Sequence, residues 1–239
     1  MRSPDELRAL AEAYVGDLAL TPELGALQES LRYATAGGKR VRATICLATA
    51  EAAGAEAERA LPAAAALELV HAFSLVHDDL PALGEAIGIL AGDALLAEAF
   101  RLALTYPTPA VARELAQATL GMIGGQYLDV TGTAPDEPTL HRLKTGCLFA
   151  ASVGCGLAAA DVPDREQAPW RAFGDELGLL FQIVDDILDG DGYALSHGAD
   201  GARRLADEAA DRARERLAAV PADTAILLEI VDGLATRTA

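Results

Sequence analysis

The nonapeptide Phe181-Gln182-Ile183-Val184-Asp185-Asp186-Ile187-Leu188-Asp189 places carboxylates in an otherwise apolar stretch with helical periodicity. On a helix, Asp185 and Asp189 share one face, where like charges repel each other. Buried carboxylates need a partner, and no basic residue stands near them in the sequence. A hard divalent cation with oxygen ligands, most simply Mg²⁺, meets that need. The alternative interpretation is a helix end whose acids are solvated by water.

The same stretch also indicates the fold, because a helix that is apolar nearly all round belongs in the middle of a large bundle. Alanine makes up about a fifth of the 239 residues, aromatic residues only 5%, and no segment alternates cleanly between apolar and polar residues. We therefore predict an all-α fold in a single domain, 1–239. The predicted helices cover about 4–19, 22–33, 39–53, 62–81, 85–104, 109–130, 138–160, a long one ending near 189, 199–219 and 222–236.

A second acidic pair, Asp78-Asp79, ends the helix that precedes Pro81. Its surroundings echo those of Asp185, since each pair follows an apolar helical run. Acids beside a helix-ending proline are common, so the pair alone leaves metal binding and simple solvation equally open. Two acidic helix ends facing each other across a cavity would hold several Mg²⁺ ions and a diphosphate between them.

The net charge of −17 and the pI of about 4.5 exclude general nucleic-acid binding, which needs a basic face. They also disfavour docking on anionic membranes. An anionic substrate would have to be met by bound cations or by local basic clusters. The charge therefore agrees with metal ions that bridge an acidic protein and an anion.

Three cysteines without metal-ligand spacing predict a reducing, cytoplasmic location. The N-terminal Ser3-Pro4-Asp5-Glu6 is typical of a helix start and not of a signal peptide. The longest apolar runs, such as 61–76 with Glu68 and His71 inside it, carry polar interruptions, so we expect no membrane span.

Lysine is rare in this chain, since 17 of the 19 basic residues are arginine. Lys39 follows Gly37-Gly38, and Lys144 precedes Thr145-Gly146, so both lie where backbone can approach a ligand closely. Surface lysines in loops are the ordinary alternative. With Arg40 and Arg42 beside it at a helix start, Lys39 favours a second phosphate site.

His71 lies seven residues before Asp78 on the same helix face. It is interpreted either as an anion contact or as a core residue.

These segments together resemble the trans-isoprenyl diphosphate synthases, the polyprenyl synthetases that include farnesyl and geranylgeranyl diphosphate synthases. The similar elements follow in order along nearly the whole chain: Gly37-Gly38-Lys39-Arg40-Val41-Arg42, the aspartate-rich region 71–83, the segment 84–96, Gly125-Gln126-Tyr127-Leu128-Asp129, Lys144-Thr145-Gly146 and the nonapeptide 181–189. Class I terpene cyclases share an acidic first motif but usually lack the GGKR element and the second DDxxD.

The resemblance implies an all-α bundle around a deep central cavity, usually in a homodimer, and a role for each matched residue. Lys39, Arg42 and His71 would hold the diphosphate of isopentenyl diphosphate. The implied Mg²⁺ ligands are Asp78, Asp79, Asp185 and Asp189. The resemblance also implies that Lys144, Thr145 and Gln182 assist in holding the allylic diphosphate and that Gln126 contacts substrate. The allylic diphosphate, dimethylallyl or geranyl, would ionise, and the isopentenyl double bond would attack the cation.

Phe73 bears on the length of the product. It lies five residues before Asp78, about 7.5 Å further along the helix axis from the implied metals. A ring at that depth would floor the cavity after a short chain, which predicts farnesyl diphosphate as the product. Geranylgeranyl diphosphate is the alternative if Phe73 is ordinary core and points elsewhere.

The chain departs from the family pattern at two junctions, 83/84 and near 192/193. About fifteen residues are missing at the first, including an aspartate and two arginines that the family uses, and about twenty at the second. Both junctions fall where mobile lids belong, at the cavity mouth. We interpret them as lid residues that the natural protein carries and this sequence lacks. A real deletion would instead make the chain a degenerate, non-catalytic subunit.

A di-iron bundle is disfavoured, because the sequence lacks the two Glu-x-x-His motifs that this class needs.

Overall fold

The computed structural model describes residues 1–78 and 84–237, and over these residues it is an all-helical bundle without a β-strand. The predicted all-α fold is therefore confirmed. The helices are α1 (Pro4–Gly16), α2 (Leu27–Thr35), α3 (Val41–Ala52), α4 (Ala57–Asp78), α5 (Glu85–Ala103), α6 (Ala110–Thr131), α7 (Glu137–His141), α8 (Cys147–Ala159), α9 (Ala168–Asp189), α10 (Gly192–Ala218) and α11 (Ala225–Ala235). A π-helical turn, Arg142–Gly146, joins α7 to α8.

Helix α4 lies at the centre of the bundle, between α3, α5 and α8. Its run of small residues, Ala63 to Ala66, is at most 1% exposed, because alanine lets neighbouring helices approach closely. By length and composition α4 would be able to cross a membrane, although Glu68 and His71 interrupt it. Within the bundle, 72% of its apolar window is buried, so the protein core accounts for its hydrophobicity.

Helix α4 begins at Ala57, five residues before the predicted start at Pro62. A proline inside a helix lacks the N–H of one backbone hydrogen bond and displaces the turn before it. The hydroxyl of Tyr106 fills the distorted turn: it accepts a hydrogen bond from the Ala63 N–H at 3.2 Å and donates one to the Arg59 carbonyl at 2.8 Å. Because a tyrosine from outside the helix satisfies these groups, the sequence of α4 alone could not reveal the earlier start.

Helix α10 also begins earlier than predicted, at Gly192 and not near 199. The predicted start coincides with a kink at Gly198, whose φ of 71° and ψ of 162° are not helical. The buried carboxylate of Asp186 accepts the Tyr193 N–H at 2.9 Å and so caps the first turn of α10. A Cβ at position 192 would collide with that carboxylate, so only glycine fits there. Asp186 thus fixes the junction between α9 and α10.

Candidate active site

A central cavity of about 820 Å³ lies between the helices that carry the sequence motifs. Eight of the predicted site residues line it together: Arg42, His71, Phe73, Asp78, Gln126, Lys144, Thr145 and Asp185. The rest of the wall is largely apolar, with Leu96, Met122 and Leu148 among its side chains. The structure therefore brings the C-terminal ends of α4 and α9, the C-terminal half of α6 and the π-helical turn to one cavity.

The four predicted metal ligands do not all meet in this cavity. Asp78 and Asp185 line it, whereas Asp189 is exposed at the end of α9 and is not among the lining residues. Asp79 lies outside the described residues. Partial burial and the negative charge of Asp189 raise the pKa of Asp185, and Arg237 opposes this rise. The repulsion expected between the two carboxylates of one helix face is thus present at Asp185.

Lys144 and Thr145 reach the cavity because the π-helical turn packs closely against α6. A Cβ on Gly125 would lie 2.7 Å from the Cα of Lys144, so glycine is required for this approach. On the other side of the turn, Gly146 packs against Gly178 of α9. The Lys144 ammonium forms an ion pair with Asp129 of α6. Glycines on two neighbouring helices therefore position the lysine at the cavity wall.

Gln126 connects α6 directly to the acidic end of α4. Its Nε2 donates a hydrogen bond to Asp78 Oδ1 at 2.7 Å, and its Oε1 is buried without a hydrogen-bond partner. The resemblance implies that Gln182 lies beside the allylic diphosphate, but the structure places its side chain elsewhere. It is absent from the lining of the central cavity and donates to Asp186 Oδ1 at 2.6 Å. In the structure, Gln182 supports the α9–α10 junction.

A smaller cavity of about 260 Å³ adjoins the central one and carries the basic residues. Lys39, Arg42 and His71 line it, as the sequence analysis expects, and Arg42 and His71 line both cavities. Arg40 also borders it, but its guanidinium is already paired with carboxylates of the protein. It forms ion pairs with Glu12 at 2.5 Å and with the buried Glu68 at 3.5 Å. Arg40 therefore contributes to the fold more than to a phosphate site.

The shared wall of the two cavities combines a buried guanidinium with a neutral imidazole. Burial lowers the pKa of Arg42, and the carboxylates of Glu68 and Asp185 oppose this effect. Its Nε is buried without a partner, and its guanidinium lies 4.6 Å from the centroid of the Phe149 ring. Burial and the charges of Arg42 and Arg40 lower the pKa of His71 to about 3, so this histidine is uncharged at neutral pH.

Phe73 lies in the cavity wall, where the helix geometry predicts it. It is 7% exposed and makes an edge-to-face contact with His77, with ring centroids 4.8 Å apart. The imidazole of His77 rests against Gly92 of α5, where a Cβ would collide with it. The position of the Phe73 ring is therefore fixed by packing against α5.

Arg237, which follows α11 and borders the basic cavity, was not predicted as a site residue. Its Nη1 contacts Asp185 Oδ1 at 3.4 Å, and its guanidinium lies 5.9 Å from the centroid of the Phe181 ring. Arg237 is one of 17 arginines, and no motif in the sequence distinguishes it as a site residue. Its position at the cavity depends on how α11 packs on α9. Asp93 of α5 also lines the central cavity and was not singled out.

The bundle, with a central cavity between two acidic helix ends, has the isoprenoid synthase fold. The crystal structure of a geranyltransferase from Legionella pneumophila is similar to it with a TM-score of 0.83 and 27% identity, over 98% of this chain and 96% of that one. A family model described as Polyprenyl synthetase matches residues 25–201. The chain belongs to the polyprenyl synthetase family.

Two curated relatives illustrate the similarity in sequence. A geranylgeranyl diphosphate synthase from Cyanophora paradoxa is 38% identical over 195 residues, and a farnesyl diphosphate synthase from Bacillus subtilis is 35% identical over 198. The chain spans 65% of the length of the first and 67% of the second. The first alignment includes 68% of this chain, which is about 163 residues, so about 30 positions of that relative have no counterpart here.

Proposed function

We propose that this chain is a trans-prenyltransferase of isoprenoid biosynthesis, which joins isopentenyl diphosphate to an allylic diphosphate. The observation that carries the proposal is the central cavity, where Asp78, Asp185 and Lys144 border an otherwise apolar space. Such a site combines charged groups for a diphosphate with room for a hydrocarbon chain. The names of the relatives from Cyanophora paradoxa and Bacillus subtilis support the same reaction class.

Magnesium ions are part of the proposal, and the donors present fit them. Asp78 and Asp185 supply carboxylate oxygens, the ligands that Mg²⁺ prefers, and the buried Gln126 Oε1 next to Asp78 has no partner in the protein. Asp79 and Asp189, which the resemblance implies as ligands, would supply further carboxylate oxygens. When bound, Mg²⁺ neutralises the diphosphate and makes it a better leaving group. It also resolves the conflict between a protein charge of −17 and an anionic substrate.

The basic cavity would bind the second substrate. Lys39 and Arg42 offer cationic donors to the diphosphate of isopentenyl diphosphate, and the unpartnered Arg42 Nε is a donor already desolvated for that contact. His71, with its pKa of about 3, would contribute a hydrogen bond and no charge. Because Arg42 and His71 border both cavities, the two substrates would meet at this shared wall.

The reaction would proceed by loss of the allylic diphosphate, with the C–O bond breaking and its electron pair leaving with the diphosphate. Lys144 and Thr145 would hold this leaving group. The isopentenyl double bond then forms the new C–C bond, and a proton leaves the resulting cation. The apolar wall of Leu96, Met122 and Leu148 would keep water from the cation.

Farnesyl diphosphate is the product that the cavity favours, with geranyl diphosphate as the intermediate. The buried Phe73 ring stands in the wall where a growing chain would pass, which supports a short product. Geranylgeranyl diphosphate is the competing product, in line with the name of the Cyanophora paradoxa relative.

A homodimer and a cytoplasmic location complete the proposal. Helix α5 exposes Ile87 and Leu90, three residues apart, and α6 exposes Leu120, and none of these side chains lines the central cavity. Exposed apolar side chains at helical spacing are typical of a surface that a partner covers. All three cysteines are free thiols, which agrees with a reducing compartment.

A non-catalytic subunit is the second candidate function, because about 30 positions of a relative have no counterpart in this chain. Product analysis separates the candidates: the protein is incubated with Mg²⁺, labelled isopentenyl diphosphate and each allylic diphosphate, and products are separated by length. We expect a C15 product. A mass of the natural protein above 24.7 kDa would show that it carries further residues. No product from a 24.7 kDa protein with any primer would overturn the enzyme and favour the subunit.

A further inference from the structure

A second group of possible metal ligands lies away from the central and basic cavities. Glu137 and His141 of α7 and Asp186 of α9 each present one ligand atom, and no two of these atoms are more than 4.8 Å apart. His141 Nε2 lies 3.6 Å from Glu137 Oε1 and 3.7 Å from Asp186 Oδ2. The neighbouring Asp185 lines the central cavity, whereas Asp186 belongs to this second group.

The spacing within this group suits a small transition-metal ion. Glu137 and His141 are four residues apart on one helix, the same spacing that places two zinc ligands side by side in helical zinc motifs. Ligand atoms about 2.0–2.2 Å from a tetrahedral ion lie about 3.4 Å from one another. The separations of 3.6 and 3.7 Å are close to that value. Asp186, from another helix, would supply the third ligand.

Neighbouring groups already hold the two carboxylates in place. Asp186 accepts hydrogen bonds from the Tyr193 N–H and from Gln182, and its side chain is only 5% exposed. Glu137 accepts a hydrogen bond from the hydroxyl of Ser196 at 3.0 Å. Metal ligands are typically oriented by such second contacts. In the described part of the chain, His141 is the only basic side chain paired with either carboxylate, so one imidazole faces two negative charges.

We propose that Glu137, His141 and Asp186 bind one transition-metal ion of the Zn²⁺ type, with the fourth position open to water. An imidazole with two carboxylates favours such an ion, whereas the all-oxygen donors of Asp78 and Asp185 favour Mg²⁺. His141 and Glu137 are 15% and 29% exposed, which leaves a path for the ion. The ion would tie α7 to α9 and to the start of α10, and so would stabilise the segment that leads into Lys144. This proposal is independent of the proposed prenyl transfer.

The test is metal binding to protein freed of metals with a chelator, in the presence of excess Mg²⁺. Co²⁺ serves as the spectroscopic probe, because a site of low coordination gives it visible absorption, and Zn²⁺ is titrated by calorimetry. We expect one equivalent of Zn²⁺, displacement of Co²⁺ by Zn²⁺, and a rise in Tm on binding. His141→Ala and Glu137→Gln should each weaken Zn²⁺ binding at least tenfold and remove the rise in Tm.

Two variants serve as matched controls. His197→Ala removes an exposed imidazole that also stacks on Tyr193 but is not in the group, and it should bind Zn²⁺ as the wild type does. Asp185→Asn tests the central cavity and should also leave Zn²⁺ binding unchanged. Absence of saturable binding, or equal affinity in the wild type and in Glu137→Gln, would show an ion pair without a metal and overturn the proposal. Circular dichroism establishes that each variant is folded.

Discussion

The Nε2 of Gln126 on α6 donates a 2.7 Å hydrogen bond to Asp78 Oδ1 at the end of α4. This contact links two motifs that are 48 residues apart in the sequence. It also leaves the amide oxygen of Gln126 buried without a partner at the edge of the cavity. Gln126 therefore orients one carboxylate of the acidic end and offers an acceptor of its own.

Replacing Gln126 should weaken catalysis more than stability. A hydrogen bond to a charged group contributes about 1.5–3 kcal/mol, so Gln126→Ala should lower kcat/KM about tenfold to a hundredfold. Prenyl transfer rates at several Mg²⁺ concentrations measure the effect, which should include a higher Mg²⁺ requirement. Gln117→Ala, an exposed glutamine on the same helix, is the control and should keep wild-type rates. Equal rates for both variants would contradict a role for the Gln126–Asp78 contact.

The adjacent Asp185 and Asp186 should respond in opposite ways to substitution. Asp185 borders the cavity, and its pKa is raised by burial and by Asp189, so Asp185→Asn should cost about a hundredfold or more in kcat with no loss of stability. Asp186 caps α10, so Asp186→Ala leaves the Tyr193 N–H unpaired and should cost about 1–3 kcal/mol of unfolding free energy. Urea unfolding and steady-state rates of both variants test this division. A stable Asp186→Ala protein would argue against the cap.

Gly125 offers a test of the close packing that positions Lys144. A Cβ at position 125 would overlap the Lys144 backbone, so Gly125→Ala should destabilise the fold by about 1–3 kcal/mol and lower prenyl transfer activity. Gly124→Ala is a matched control, because a Cβ at that position meets no atom within 4 Å. Alanine favours a helix over glycine by about 1 kcal/mol, so the control should be neutral or stabilised. Thermal unfolding of the two variants gives the comparison.

Much of this arrangement could be predicted from sequence, because apolar periodicity and a high alanine content specify helices and bury them. The position of Asp78, Lys144 and Asp185 around one cavity was expected from the resemblance of their motifs to those of one family. The division of labour between Asp185 and Asp186 could not be predicted, since it depends on which way α9 is rotated when α10 docks. Arg237 was missed for a similar reason, because the place of α11 is set by tertiary packing and by no local pattern.

His71 should make the folded state sensitive to acid. Its pKa is about 3 in the folded protein and 6.5 as the unfolded reference, so between these values the unfolded chain binds a proton that the folded state does not. The contribution of His71 to the free energy of unfolding is therefore fully present above about pH 6.5 and is lost as the pH falls toward 3. At pH 5 the loss should reach about 1–2 kcal/mol relative to pH 7.

The measurement for His71 is urea unfolding at pH 7 and pH 5 for the wild type and for His71→Gln. The variant keeps a polar side chain of similar reach but cannot take up the proton. Between pH 7 and pH 5, the free energy of unfolding should fall by about 1–2 kcal/mol less in His71→Gln than in the wild type. The other three histidines are common to both proteins, so the difference reports on His71. Identical pH dependence would mean that His71 is not held uncharged by its surroundings.

Phe73 should set the length of the product. Its ring is 7% exposed in the cavity wall and is held by His77, which itself rests on α5. A growing chain that meets this ring would stop, so Phe73→Ala should open space along α4 and shift the product from C15 toward C20 or longer. The cost in stability should be about 3–5 kcal/mol if the wall does not close over the gap, so the assay is run at low temperature.

The experiment compares product lengths for the wild type, Phe73→Ala and Phe73→Leu with the same primers. Leucine keeps a bulky apolar group and should give a distribution between the other two. Phe100→Ala, a partly buried ring on α5 that does not border the cavity, is the control for a general loosening of the bundle and should leave product length unchanged. Since cavity depth and not catalytic rate determines when elongation ends, total turnover should change less than chain length. A wild-type C20 product, or no change in Phe73→Ala, would remove Phe73 from this role while leaving the prenyl transfer proposal intact.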